Sequence, residues 1–197
     1  MTIALHACCG PCLIEPLESL ATEDEVVVVY ANPNITPRDE YDRRRDALET
    51  YARSVGVEVV ELPYDPGLWR DAVRGLDDDQ SRRCAACYRV RLRMTAEWAA
   101  ANGIERIAST LTVSPYQDAD SIREAGEEVA ARVGVGYLDR DFRDRYPSAM
   151  KRARETDLYR QNYCGCAISK QEAEAAREER RAKRAAARLD TQSGSGA

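Results

Sequence analysis

No apolar run in this chain approaches the roughly 20 residues that a membrane-spanning helix needs. The start also carries neither a basic leader nor a small-residue cleavage site. Both absences lead us to expect a cytoplasmic protein. Positive charge is in deficit as well: 29 Lys and Arg against 34 Asp and Glu leave a formal net charge of -5, with a pI near 5.2. That balance excludes a broadly basic protein that coats nucleic acid, while leaving room for a local basic patch. Histidine occurs once, at His6. A lone imidazole inside an apolar run reads first as a hydrogen-bonded core residue and second as a proton donor or ligand. No internal repeat is present.

What the chain does have is thiol. Seven cysteines fall into three groups, Cys8/Cys9/Cys12, Cys84/Cys87 and Cys164/Cys166. In a reducing compartment such grouping favours metal or redox chemistry over a disulfide framework. The first group lies in His6-Ala7-Cys8-Cys9-Gly10-Pro11-Cys12, directly after the apolar Ile3-Ala4-Leu5. A strand that stops at Gly-Pro and feeds a helix after Pro11 holds these thiols near a helix N-terminus, where free N–H groups and the macrodipole favour thiolate. Cys9-Gly10-Pro11-Cys12 is also the thioredoxin tetrapeptide. In thioredoxin-like domains, however, it follows a strand, a helix and a second strand, whereas here it follows the first strand at once, beside an extra thiol at Cys8.

Cys84-Ala85-Ala86-Cys87 at a helix start puts both sulfurs on one face. With Cys8 and Cys9 the pair makes four thiolates, enough for a tetrahedral zinc or an iron–sulfur cluster, and the spacing is compatible with either. Cys164-Gly165-Cys166 suits a ligand pair, a redox relay or a strained local disulfide. Arg43-Arg44-Arg45 and Arg82-Arg83 read equally as phosphate contacts or as solvated helix faces.

The pattern between the thiols alternates strand and helix. Val26 to Tyr30 is a β-branched run of the kind buried on both faces of a parallel sheet. Val57 to Leu62, Ile104 to Thr112 and Val135 to Leu138 are further predicted strands. Helices are expected over Leu13–Ala21, Arg38–Val55, Leu68–Arg74, Cys84–Asn102, Ser114–Val133 and Pro147–Arg160, the fifth opened by Ser114 as N-cap and Pro115 at its first position. Such βαβ units imply an α/β fold, a parallel sheet with helices on both faces. Ligands of these sheets bind beyond the carboxyl ends of the strands. Residues 1–170 are expected to form one α/β metal-binding catalytic domain, residues 171–190 a charged C-terminal helix, and residues 191–197 a disordered Gly/Ser-rich tail.

Six segments taken in order carry a resemblance: His6 to Cys12, Tyr30-Ala-Asn-Pro-Asn-Ile35, Glu40-Tyr-Asp-Arg43, Arg83-Cys-Ala-Ala-Cys-Tyr88 with Arg91-Leu92, Ser109 to Pro115, and Gln161-Asn-Tyr-Cys-Gly-Cys166 with Ser169. Together they resemble the cobalamin-independent epoxyqueuosine reductases, the QueH family, over residues 3–170. The resemblance implies a Rossmann-like fold of the adenine-nucleotide hydrolase (HUP) type. It further implies a [4Fe–4S] cluster beside a second metal ion, an iron, and reduction of epoxyqueuosine to queuosine at the tRNA wobble position. Nucleotide-binding relatives of that fold carry a Ser-Gly-Gly-x-Asp-Ser loop after the first strand. Cysteines stand there in this chain, so ATP binding is expected to be lost.

By position, the resemblance assigns Cys8, Cys9, Cys84 and Cys87 to the cluster. Because successive side chains of extended backbone diverge, one of Cys8/Cys9 is expected on the cluster and the other, with Cys12, on the second iron. Removing an epoxide oxygen needs two electrons, two protons and an electrophile, the last a role for the second metal. Cys12, Tyr88 and Tyr163 are the catalytic candidates, with His6 or a carboxylate as other proton donors. Cys164/Cys166 is the candidate redox pair, and Arg43, Arg83 and Arg91 are the candidate tRNA contacts. The implied partners are tRNA carrying epoxyqueuosine and an external electron donor such as a ferredoxin or flavodoxin, with the chain acting as a monomer. The alternatives are a zinc-bearing RNA-binding module and a thiol–disulfide oxidoreductase that uses the Cys9-Gly10-Pro11-Cys12 motif.

Overall fold

The computed structural model describes the backbone of residues 1–193 and side chains to residue 184. Five strands, β1 (Thr2–His6), β2 (Glu25–Tyr30), β3 (Val59–Glu61), β4 (Arg106–Ser109) and β5 (Gly136–Tyr137), form one sheet in the order β3-β2-β1-β4-β5. Every pairing is parallel, with Leu5 opposite both Val28 and Ala108. The helices are α1 (Gly10–Ala21), α2 (Arg38–Ser54), α3 (Pro66–Ala72), α4 (Gln80–Ala101), α5 (Ala119–Val133), α6 (Tyr146–Glu155) and α7 (Ala167–Ser193).

The two-residue period of the strands divides the core. Ile3, Leu5, Val26, Val28 and Tyr30 pack on one face with residues of α1, α2 and α6. Ala4, Val29 and Ile107 pack on the other with residues of α4 and α5. Leu5 and Leu13 are fully buried, and each such side chain contributes about 1.5–3 kcal/mol of transfer free energy. Because β1 is flanked by β2 on one side and β4 on the other, the chain leaves these neighbours in opposite directions. A crevice opens at their carboxyl ends, where Cys8, Asn32 and Thr110 follow the last residues of β1, β2 and β4.

Several expected boundaries move. The helix expected from Ser114 starts at Ala119, because the Asp118 carboxylate accepts from the Asp120 and Ser121 N–H groups and caps it there. Ser114 instead closes a turn, its hydroxyl accepting from Tyr116 N–H. The strand expected to Thr112 ends at Ser109 and passes into a 3₁₀ turn over Leu111–Val113, with Ser109 Oγ accepting from Leu111 N–H at 3.1 Å. Helix α4 begins at Gln80, one turn before Cys84, because Asp79 caps it through Arg82 N–H. Helix α7 takes in residues 191–193, which were expected in the tail; residues 194–197 of that tail lie outside the described residues. No helix among the described residues is long and apolar enough to cross a membrane.

Candidate metal and thiol site

Cys9 is the N-cap of α1 in extended backbone, φ -173° and ψ 161°, with Pro in the first turn that follows. Gly10 is required by packing: a Cβ there would stand 2.8 Å from the Ala47 carbonyl oxygen of α2. This close approach of two helices fixes the position from which the first thiol group projects. The sulfurs of Cys8, Cys9 and Cys12 all lie within 4.8 Å of one another, and all three residues are buried. Cys8 and Cys9 are 3.9 Å apart at sulfur. The expected divergence of these neighbours is therefore corrected, since the turn into α1 folds the N-cap side chain towards both Cys8 and Cys12.

Among themselves the three thiols share protons unequally. Hydrogen bonds from Cys12 and then Cys9 hold the Cys8 thiol well below its ordinary value, against the cost of burial. Burial pushes Cys9 up to about 12. Cys12 is raised too, first by its hydrogen bond to Cys8. Three sulfurs this close together suit a cation. The Gln161 side-chain amide donates to Cys9 Sγ at 2.9 Å, so the loop before Cys164 closes over the trio.

Both ring nitrogens of His6 are engaged in hydrogen bonds. Its Nδ1 is 3.1 Å from Ser109 Oγ and its Nε2 is 3.3 Å from the Ala31 carbonyl. The carbonyl can only accept, so Nε2 carries the proton and Nδ1 accepts from the serine hydroxyl. Complete burial, helped by the nearby Arg91 charge, lowers its pKa to about 3. It is a neutral core histidine that ties β1 to the ends of β2 and β4.

The other four cysteines gather across the cavity. Cys87 and Cys166 are buried with Trp69 and Val73, Cys84 is half-buried and Cys164 exposed. Burial pushes the Cys87 thiol up to about 11. Gly165, between the last two, has φ 139°, a conformation open to glycine alone at little cost. Ser169 N–H donates to Cys166 Sγ at 3.3 Å at the start of α7. A cavity of about 620 Å³ is lined by Cys8, Cys12, Cys84, Cys87, Cys164 and Cys166, with Tyr88 and Tyr163 also on its wall. The three thiol groups thus face one space, arranged as a tight trio and a looser quartet.

The arginines separate by environment. Arg43 remains half-exposed on α2, paired with Asp39 at 3.0 Å and Glu40 at 3.3 Å. Arg83 is buried and committed to the Asp77 carbonyl and Glu172. Arg91 is buried as well. Arg91 reaches Asn32 at the end of β2, whereas Arg83 lies on the wall of the cavity, held by Glu172 of α7.

Two roles escaped sequence reasoning, and burial corrects the reading of Arg44 as a phosphate contact or part of a solvated face. Arg44 is fully buried; its Nε donates to Glu40 at 2.7 Å and its Nη atoms to the carbonyls of Cys164 and Tyr163 at 2.9 and 3.2 Å. The signal available was the Glu40–Arg44 spacing of four on one helix, hidden inside a run of three arginines. Asn32 bridges the Ala7 carbonyl and Arg91, a role that no local pattern announces.

The chain matches the family model described as epoxyqueuosine reductase QueH over residues 3–172. Epoxyqueuosine reductase QueH of Streptococcus pyogenes serotype M1 is 34% identical over 175 residues, covering 84% of this chain and 69% of the relative. The protein of the same name from Thermotoga maritima is 31% identical over 175 residues, covering 85% and 90%. Among solved structures, a predicted subunit of tRNA methyltransferase from Methanocaldococcus jannaschii superposes with a TM-score of 0.50 at 11% identity, covering 77% of this chain and 76% of that one. That likeness concerns the fold alone.

Proposed function

The chain belongs to the epoxyqueuosine reductase QueH family, a family of oxidoreductases, and on that premise we propose that it removes the epoxide oxygen of epoxyqueuosine in tRNA. Two electrons and two protons enter, the two C–O bonds of the epoxide break, an alkene forms and the oxygen leaves as water. The single observation that carries this reading to the residues is the convergence of six cysteines on one cavity at the switch point of a parallel sheet.

The donor set fits an iron–sulfur centre. Cys8, Cys9, Cys84 and Cys87 would hold a [4Fe–4S] cluster, and Cys12 a neighbouring iron. When bound, this centre supplies single electrons, and the second metal an electrophile for the departing oxygen. The remaining work falls to the chain. A cavity of about 620 Å³ admits a flipped nucleoside and limits water around it. Tyr88 and Tyr163 both have raised pKa values, first through burial, the latter to about 12, so each holds its proton at neutral pH. The Tyr163 hydroxyl donates to the Thr36 carbonyl at 2.8 Å, which favours Tyr88 as the proton donor. Cys164 and Cys166 serve as a dithiol pair that relays electrons from an external low-potential protein. Arg43 contributes to the tRNA contact from the edge of α2.

The test is anaerobic turnover of tRNA carrying epoxyqueuosine with a chemical reductant, followed by digestion and mass analysis of the nucleosides. Queuosine, lighter by one oxygen, is the expected product. Intact epoxyqueuosine with an iron-loaded protein would refute the assignment.

A further inference from the structure

Arg91 is only 1% exposed, and its Nε and Nη1 atoms have no hydrogen-bond partner. The other deeply buried arginines are paired with carboxylates, Arg44 with Glu40 and Arg83 with Glu172. No carboxylate lies within ion-pairing distance of Arg91 among the described residues; its one side-chain partner is the neutral Asn32, at 2.8 Å through Nη2. A buried guanidinium cannot escape its charge by losing a proton, and leaving that charge unpaired is strongly destabilising. Some anion must therefore answer it.

The groups around it are sulfurs. Cys87 stands four residues earlier on the same face of α4, the spacing at which helical side chains meet. Of the groups whose charge would reach Arg91, Cys87 and then Cys8 come first. Asn32, which receives Nη2, also donates to the carbonyl of Ala7, next to Cys8. The guanidinium thus lies between the trio and the quartet of thiols, with two donors left over.

We propose that Arg91 is the internal counter-charge of the metal–thiolate centre, its two free donors directed at ligand sulfurs, and that it sets the reduction potential of that centre. The inference rests on the iron–sulfur reading given above. Reduction adds negative charge, which a buried cation nearby stabilises, so Arg91 raises the potential. It is a positioning residue: it touches ligands, not the reacting nucleoside.

The experiment is an anaerobic redox titration of the iron-loaded protein, followed by electron paramagnetic resonance, for the wild type, Arg91→Gln and Arg91→Lys. Gln keeps a neutral donor and removes the charge; Lys keeps the charge and removes the planar fork. Arg91→Gln is expected to disfavour reduction by about tenfold or more, a midpoint lower by about 59 mV for a one-electron couple, while Arg91→Lys recovers most of the difference. Loss of iron in Arg91→Gln that Arg91→Lys restores carries the same meaning. An unchanged midpoint in Arg91→Gln, or equal iron loss in both variants, overturns the inference. A wild type without redox-active iron would instead bring down the functional reading on which it rests.

Discussion

Arg44 shows how much of this site depends on single buried side chains. Its guanidinium is enclosed and answers Glu40, itself only 3% exposed at the side chain, while two of its donors hold the backbone of Tyr163 and Cys164. Glu40 also accepts from the Tyr159 hydroxyl at 2.6 Å. Removing one member of a buried ion pair costs about 3–5 kcal/mol because the other charge is stranded. Arg44→Met should accordingly lower the unfolding free energy, read from urea titration, by an amount near the lower end of that range, given the help Glu40 keeps from Tyr159 and Arg43. The double variant with Glu40→Gln should recover a large part of the loss. Equal destabilisation in the single and double variants would show that the pair is not what Arg44 contributes. At the same scale, His6 was legible as a core histidine because an imidazole in a β-strand run has a carbonyl or hydroxyl at hand. Arg44 and Arg91 were not legible: charge in a sequence reads as surface, and only the fold reveals which charges are enclosed.

At the scale of elements, the caps decide where helices begin. Asp118 opens α5 by accepting from two backbone N–H groups and the Ser121 hydroxyl, at 2.8 Å for the last. These bonds, that from the Ser121 hydroxyl first, hold its carboxyl below the ordinary value. A carboxylate whose pKa is depressed by folding stabilises above its unfolded pKa of about 3.9, and that stability is lost as pH falls through the lower folded value. Asp118→Ala should therefore cost about 1 kcal/mol near neutral pH, and the gap to the wild type should narrow only on acidification below the unfolded value of about 3.9. A gap that persists at low pH would point to packing instead of the cap. The parallel sheet and all seven helices were legible in outline, since β-branched runs and Asn-Gly or Gly stops are local signals. The start of α5 was misplaced because Ser114-Pro115 and Asp118 are both competent openings. The fuller hydrogen bonding of the carboxylate wins, and sequence alone does not rank them.

At the scale of the whole molecule, the strand order does the work that no motif can. Three thiol groups, as far apart in sequence as Cys8 and Cys166, meet because β1 and β4 are neighbours and the chain departs from them in opposite directions. That Cys84 and Cys87 join Cys8 and Cys9 was legible from the grouping of the thiols. The partition into a trio of Cys8, Cys9 and Cys12 and a quartet of Cys84, Cys87, Cys164 and Cys166 was not, because it depends on the turn into α1 and on α7 returning over the cavity. The central claim is that thiols of both sets, Cys8, Cys9 and Cys12 from the trio and Cys84 and Cys87 from the quartet, serve one iron–sulfur centre. Its most direct test is the iron and inorganic sulfide content, read with the visible absorbance, of anaerobically purified wild type beside Cys8→Ser and Cys87→Ser. The account predicts brown wild-type protein with more than about four irons per chain, and loss of the same absorbance in both variants. Colourless wild-type protein holding zinc and no sulfide, or full absorbance retained when either thiol is removed, would contradict it.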